Sequence, residues 1–264
     1  MKKKQVYIDI NVIFNIFNYK NININKNTVY IFITMNKINI TNIYSIGYRC
    51  NNDDFLKHNN IRQYSSPFSY MLIDYKTALN FIDTSFNHYF NYEIMQPNTI
   101  KLIDKFFTTP VYVNKIFNDI LKTNIIHNWD RICLWNHHNL NTEIDKIKLR
   151  SDRLLYNLNN KNETLMLFCI HKIQNYSDDN INNYIDIEFL IKFNNKYDTH
   201  LLFIIPLFNY NLDPKIKYNS NKITIIYLNS FYEGNGTAFN DERIKWNEII
   251  KIMNNNYNFN IENK

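Results

Sequence analysis

Apolar positions in this chain fall into short blocks separated by polar, asparagine-rich stretches, and their spacing predicts strands alternating with helices. Ile43, Tyr44, Ser45 and Ile46 form a compact run stopped by Gly47, which reads as a short buried strand. Cys50 then opens a polar segment with helical features, so the local order is strand, tight turn, helix. Leu79, Ile82 and Phe86 stand at i, i+3 and i+7 and predict an amphipathic helix over 76–90. Residues 91–131 show no regular period and read as irregular. The apolar run 132–135 leads directly into His137 and His138, which places both histidines at a strand end. Ile144, Ile147, Leu154, Leu155 and Leu158 make a helical stripe, and 164–170 reads as a strand. Over 184–193 two periods compete: Ile185, Ile187, Phe189, Ile191 and Phe193 alternate, whereas Tyr184, Ile187, Leu190 and Ile191 suit a helix. Length favours the helix. Runs 201–208 and 223–228 read as buried strands. Trp246, Ile249, Ile250 and Met253 form a closing amphipathic helix that Asn240 or Asp241 would cap.

From 132 onward this order is the pattern of a largely parallel or mixed sheet flanked by helices, and the fold class expected is an α/β sandwich. No Pro-, Gly- or Ser-rich linker and no repeat divides the chain. With 264 residues it is long enough to bury one core without staples. The expected organisation is a single domain over 41–264 behind an N-terminal extension, 1–40. That extension carries two apolar stretches, 6–17 and 28–35, the second a strand candidate.

Composition narrows the function classes. Hydrophobic residues are 45% and charged residues 20% of the chain, an ordinary globular balance despite the abundant asparagine. The bias towards Asn, Ile, Lys, Tyr and Phe, with three glycines, is that of AT-rich codons, as in some large DNA viruses or protists. Asparagine tracts are therefore read as codon drift on the surface. The net charge of +6 permits a nucleic-acid partner, but apart from Lys2, Lys3 and Lys4 the lysines alternate with acids as on a solvated face. Nucleic-acid binding is the weakest of the functions weighed.

Cys50, Cys133 and Cys169 form no CxxC pair, which fits a reducing, intracellular and cytoplasmic setting, the host cytoplasm if the chain is viral. The segment 2–17 imitates a signal peptide, but Asp9, Asn11 and Asn15 interrupt it and no small-residue cleavage site follows. The runs 165–170 and 201–208 fall far below the ~18 residues that cross a bilayer, so no membrane anchor is expected. The sequons beginning at Asn39, Asn162 and Asn235 are statistical consequences of frequent asparagine.

Candidate chemistry is sparse. The chain has no GxGxxG, P-loop or GxSxG motif, and His127, Cys133, His137 and His138 lack the paired spacing of a zinc site. No cofactor and no metal are expected. Cys50 is the exception, because a thiol at the first turn of a helix lies near unsatisfied N–H groups that favour a thiolate, and Arg49 adds a positive neighbour. Asp53 and Asp54 in the same turn act against it. The sequence leaves that balance open, along with the bland alternative that Cys50 is a small buried hydrophobe.

The stretch Ser45-Ile46-Gly47-Tyr48-Arg49-Cys50, then Leu56-Lys57, Ile61-Arg62, Ser65 and Pro67-Phe68-Ser69-Tyr70, resembles a domain family of uncharacterised function, DUF1796. Its members are described as papain-like cysteine peptidases, and its pattern is roughly SLGxxC, an LR pair, then SxPFDW. Asn136-His137, then Lys148, Arg150 and Arg153, then Leu167-Phe168, is similar to the family's NHDF, RRxxRF and LFxR succession. Trp246 falls where the family often has a tryptophan on its last helix. The likeness covers about 41–255. In this chain Ser69 and Tyr70 replace Asp-Trp, His138 replaces an acid, and His171 stands where an arginine is usual.

The resemblance implies a nucleophile at Cys50 and a general base at His137, with a papain-like α+β arrangement as the alternative fold. His137 would take the Cys50 proton, the thiolate would attack an acyl carbon, and N–H groups at the helix start would hold the oxyanion. Asp241, Asn240 and Asn139 are candidates by type for orienting the imidazole. Arg62, Arg150 and Arg153 either serve an acidic substrate or pair with surface carboxylates. The partner implied is a protein or peptide substrate of unknown identity; oligomeric state is not readable. The competing function is an inactive protein-interaction module that keeps the fold, motivated by the absent Asp-Trp pair. If strands 43–46 and 132–135 share one sheet and run parallel, Cys50 and His137 emerge on the same edge.

Overall fold

A computed structural model of the chain describes residues 37–47, 51–95, 101–102, 105–106, 111–115, 133–135, 138–170, 185–207, 215–229 and 246–260. In chain order the first elements are β1 (Ile38–Ile40), β2 (Asn42–Gly47), α1 (Asn51–His58), β3 (Met71–Ile73), α2 (Tyr75–Asp83) and β4 (Tyr92–Met95). Next come β5 (Lys101–Leu102), β6 (Lys105–Phe106), β7 (Val111–Asn114), β8 (Cys133–Trp135), α3 (Leu140–Asn159) and β9 (Thr164–Cys169). The last are α4 (Ile187–Tyr197), β10 (His200–Leu207), β11 (Lys215–Ser220), β12 (Ile223–Asn229), α5 (Trp246–Asn256) and β13 (Tyr257–Phe259).

Long runs of β-branched and aliphatic residues bury strands on both faces, which is what a parallel sheet between helix layers requires. β12, β10, β9 and β2 lie side by side and parallel, with β11 antiparallel on the outer edge of β12. Ile43 pairs with Leu165 and Tyr44 with Met166, so alternate residues face opposite layers. Tyr44, Ile46, Met166, Phe168, Leu201, Phe203 and Ile225 join the apolar cluster that includes buried residues of α2, α3 and α4. Ile43, Leu165, Leu167, Leu202, Ile204 and Ile226 cluster instead with Phe55 and Leu56 of α1 and with Ile249 and Met253 of α5. This is the expected α/β class with a mixed sheet and a helix layer on each face.

Helix starts follow local chemistry. Asp74, Asn139 and Asp186 accept from Thr77, Asn141 and Phe189 N–H groups, capping α2, α3 and α4. The helix expected over 76–90 is shorter. α2 closes at Asp83, and Ser85, Phe86 and His88 take positive φ. Phe86 keeps its buried place by packing on Phe68 and Tyr89 from a turn instead of from a third helical turn.

Two further corrections concern strands. The stretch read as irregular, 91–131, contains β4 to β7, and β3, β8, β7 and β4 form a four-stranded antiparallel sheet in that order. Such short strands, flanked by Asn and Lys, leave no long apolar run to detect; Ile94 in β4 is itself 48% exposed. The second correction follows from the first: β8 pairs antiparallel with β3 and β7, so strands 43–46 and 132–135 belong to different sheets. Three buried residues, Cys133, Leu134 and Trp135, carry no sequence information about their partner strands. β11 also escaped detection, because most of its side chains face water.

The described residues all fall in one compact unit, which begins at Lys37. β1, inside the stretch expected as an extension, pairs parallel with β13 near the other end of the chain. Among the described residues no helix is long and apolar enough to cross a membrane.

Candidate functional site

The site grows from the turn between β2 and α1. Gly47 has φ +121°, and a Cβ there would sit 2.7 Å from the main-chain oxygen of Cys169, so only glycine fits this strand end. At the start of α1, the buried Asn52 donates from Nδ2 to Ile46 O at 2.9 Å and to Leu167 O at 3.4 Å. The first turn of the helix is thereby tied to the ends of β2 and β9.

One residue on, Asp53 is 1% exposed and organises a polar knot. Its Oδ1 accepts from Ser45 Oγ at 2.7 Å and from Ser69 Oγ at 2.8 Å, and its Oδ2 pairs with Arg62 Nη2 at 2.8 Å. A carboxylate taken out of water needs this degree of satisfaction. Arg62 reaches it because 61–62 folds back on α1, both N–H groups donating to Leu56 O at 3.0 Å. Arg62 also donates to Ser65 Oγ. The turn 67–70 is set by Ser66, whose N–H donates to Ser69 Oγ at 2.8 Å and whose carbonyl accepts from Ser69 N–H at 3.1 Å.

Tyr70 follows in the left-handed region, φ 61°, and its hydroxyl donates to Asp54 Oδ1 at 3.3 Å. Burial, reinforced by the charges of Asp53 and Asp54, pushes the phenol up to about 12, so it stays a neutral donor. Against the edge of this ring lies His138, with centroids 6.3 Å apart. The His138 side chain is 7% exposed; its Nδ1 lies 2.7 Å from Glu143 Oε2 and its Nε2 lies 2.7 Å from Ser69 O. Two segments almost seventy residues apart, at Ser69 and His138, therefore meet at one hydrogen bond.

Helix α3 closes the cluster. Glu143, Ile147, Arg150 and Leu154 share its inward stripe. Burial lowers the pKa of the half-buried Arg150; Glu143 opposes that shift, Arg62 adds to it and Asp53 opposes it. Arg153 lies 4.3 Å over the ring of Tyr64. Arg62, expected as an exposed ion pair or a substrate contact, is instead the partner of a buried carboxylate.

Cys50 and His137 lie outside the described residues, as do His127, His171, Asn240 and Asp241. Asn139 is engaged as the cap of α3 and accepts from Tyr112 OH at 2.9 Å. Cys133 and Cys169 are buried free thiols; burial raises Cys133 well above the ordinary thiol range and Cys169 to about 12. Among the described residues no three His, Cys, Asp or Glu side chains gather as a metal cluster. Sequence reasoning missed the organising role of Asp53, which it weighed only as a competitor for the helix dipole, and the His138 to Glu143 pair. The signals were present: an acid in the first turn after the glycine stop, and an acid five residues beyond His138. No family model, curated protein or solved structure matches the chain.

Proposed function

We propose that the chain is a thiol-dependent hydrolase of the cysteine-peptidase kind, with Cys50 as nucleophile and His137 as general base acting on an acyl or amide bond. The observation that supports it is the route from His138 Nε2 to Ser69 O and from Ser69 Oγ to Asp53, which joins the segment after β8 to the first turn of α1. Cys50 is bonded to Asn51, the first residue of α1, and His137 is bonded to His138. Asp53, three residues beyond Cys50, and His138, next to His137, thus share one polar network. Arg62 neutralises Asp53, one of the two carboxylates expected to oppose a thiolate nearby. The test is the rate of Cys50 alkylation by iodoacetamide at neutral pH in the folded protein and in a His137→Ala variant. A working pair gives a Cys50 rate above that of the same thiol in urea, and the variant loses the enhancement. Equal rates in all three samples sink the reading.

A second reading is an inactive interaction module, and it has its own observation. Asp53 accepts from Ser45 and Ser69 and pairs with Arg62, and Glu143 Oε2 is held by His138, so each acid already has partners other than His137. In that case Cys50→Ala, correctly folded, keeps whatever effect the protein has in cells, whereas loss of that effect excludes a pure binding role.

A further inference from the structure

His138 imposes a constraint that does not depend on the reaction. Its two ring nitrogens lie 2.7 Å from two oxygens, Glu143 Oε2 and the main-chain carbonyl of Ser69. A carbonyl oxygen only accepts, and an ionised carboxylate only accepts. A neutral imidazole has one N–H, so with Glu143 ionised it would aim a lone pair at an oxygen at hydrogen-bond distance. The doubly protonated ring satisfies both contacts, one of them charge-assisted.

We propose that His138 is a positioning residue held as an imidazolium, a one-proton clasp that fastens the turn 67–70 to helix α3. The groups facing it are Glu143 from α3 and Tyr70 from the turn. Behind Tyr70 stands Asp54, and behind Ser69 stand Asp53 and Arg62. Arg150 acts on the same cluster through Glu143 and Asp53. With the clasp closed, Ser69 is fixed at three atoms: its carbonyl by His138, its hydroxyl by Asp53 and its N–H by Ser66. The proton on His138 therefore holds residue 138, just before α3, against the turn that meets the polar knot at the start of α1. That this positions His137 towards Cys50 rests on the hydrolase reading above; the protonation state does not.

The experiment is nitrogen-15 NMR of histidine side chains in the full chain at neutral pH, with the His138 signals assigned by their loss in His138→Gln. Both ring nitrogens are expected to carry protons. In Glu143→Gln the amide can donate to Nδ1 while Nε2–H still donates to Ser69, so a neutral ring meets both contacts. The signals should then change to the Nε2–H tautomer with the backbone amide spectrum intact. A single-proton tautomer in the wild-type protein overturns the clasp, and so does a doubly protonated ring persisting in folded Glu143→Gln. For the positioning role, Cys50 alkylation at neutral pH should be slower in folded Glu143→Gln than in the wild-type protein and recover in Glu143→Asp. Equal rates in wild type and Glu143→Gln overturn positioning. A Cys50 no faster than in urea sinks the hydrolase reading and leaves the NMR result to decide the clasp alone.

Discussion

Ser69 Oγ donates to Asp53 Oδ1 at 2.8 Å, joining the turn before β3 to the first turn of α1 through a carboxylate that water does not reach. Asp53 has a second oxygen on Arg62, so the knot is an ion pair stitched by two serine hydroxyls. Its energetics depend on completeness. Removing one partner leaves charge in a low-dielectric site, whereas the intact set offsets most of its own desolvation.

Arg62→Met should therefore destabilise the protein by about 3–5 kcal/mol, the range for breaking a buried pair. Asp53→Asn should cost less, because the Arg62 side chain is 19% exposed and keeps access to water. Urea denaturation of the three proteins gives the comparison. A loss below ~1 kcal/mol in Arg62→Met would show that Asp53 is solvated or protonated in the folded state.

Gly47→Ala tests the strand end. At φ +121° an L side chain is strained, and the added methyl would lie 2.7 Å from a main-chain oxygen of β9, which cannot swing aside as a side chain can. The expected loss exceeds ~1 kcal/mol, since alanine at positive φ costs more than the ordinary glycine-to-alanine gain. Thermal unfolding with an unchanged midpoint would falsify this account of the turn.

Much of the fold was legible where burial on both faces wrote itself into continuous apolar runs. β2, β9, β10 and β12 were read close to their observed bounds for that reason, whereas α3 and α5 were found from helical stripes and α4 was chosen over a strand on length. The antiparallel sheet was not: β8 was read as a strand, but β3 has three residues and β4 and β7 four, too few for a period to stand out. Nor can a run such as Cys133-Leu134-Trp135 reveal which strand it will pair with. At the site, single residues were picked out in the sequence: Ser45, Gly47 and Arg62 in the quoted stretch, and Ser69 as a departure from its pattern. Their mutual contacts were not, since the Asp53 knot depends on 61–62 folding back over α1, a tertiary event with no period of its own.

Cys133 and Cys169 should be chemically silent in the folded protein. Both are buried and burial suppresses their thiolates, Cys169 to the extent of a pKa of about 12. Iodoacetamide at pH 7.5 should leave both unmodified over a time that alkylates free glutathione completely, and urea should expose them. Mass spectrometry of tryptic peptides reads each site separately. Labelling of either without urea would mean that its strand opens on the timescale of the reaction.

His200 gives the fold a dependence on pH that is separate from the site. It opens β10 with its ring buried and set edge-on to Tyr257, centroids 6.0 Å apart, and its Nδ1 has no hydrogen-bond partner among the described residues. Burial pushes the imidazole down from 6.5 to about 4; the nearby Lys222 adds to the effect and Asp198 opposes it. Between those values the unfolded chain binds a proton that the folded chain refuses, so stability rises with pH across that window. The contribution is present in full above pH ~6.5, falls as pH drops towards 4, and is then constant. The slope is at most about 1.4 kcal/mol per pH unit and the total is up to about 3 kcal/mol. His200→Phe keeps a ring against Tyr257 and removes the titration. Denaturant midpoints of both proteins from pH 7.5 to 4 should differ by a fixed amount above 6.5 and then shift steadily in favour of the variant. Carboxylates elsewhere titrate in both and cancel in the difference. Parallel curves across the whole range would show that His200 takes up its proton in the folded state, with water or a rearranged Asp198 reaching the ring.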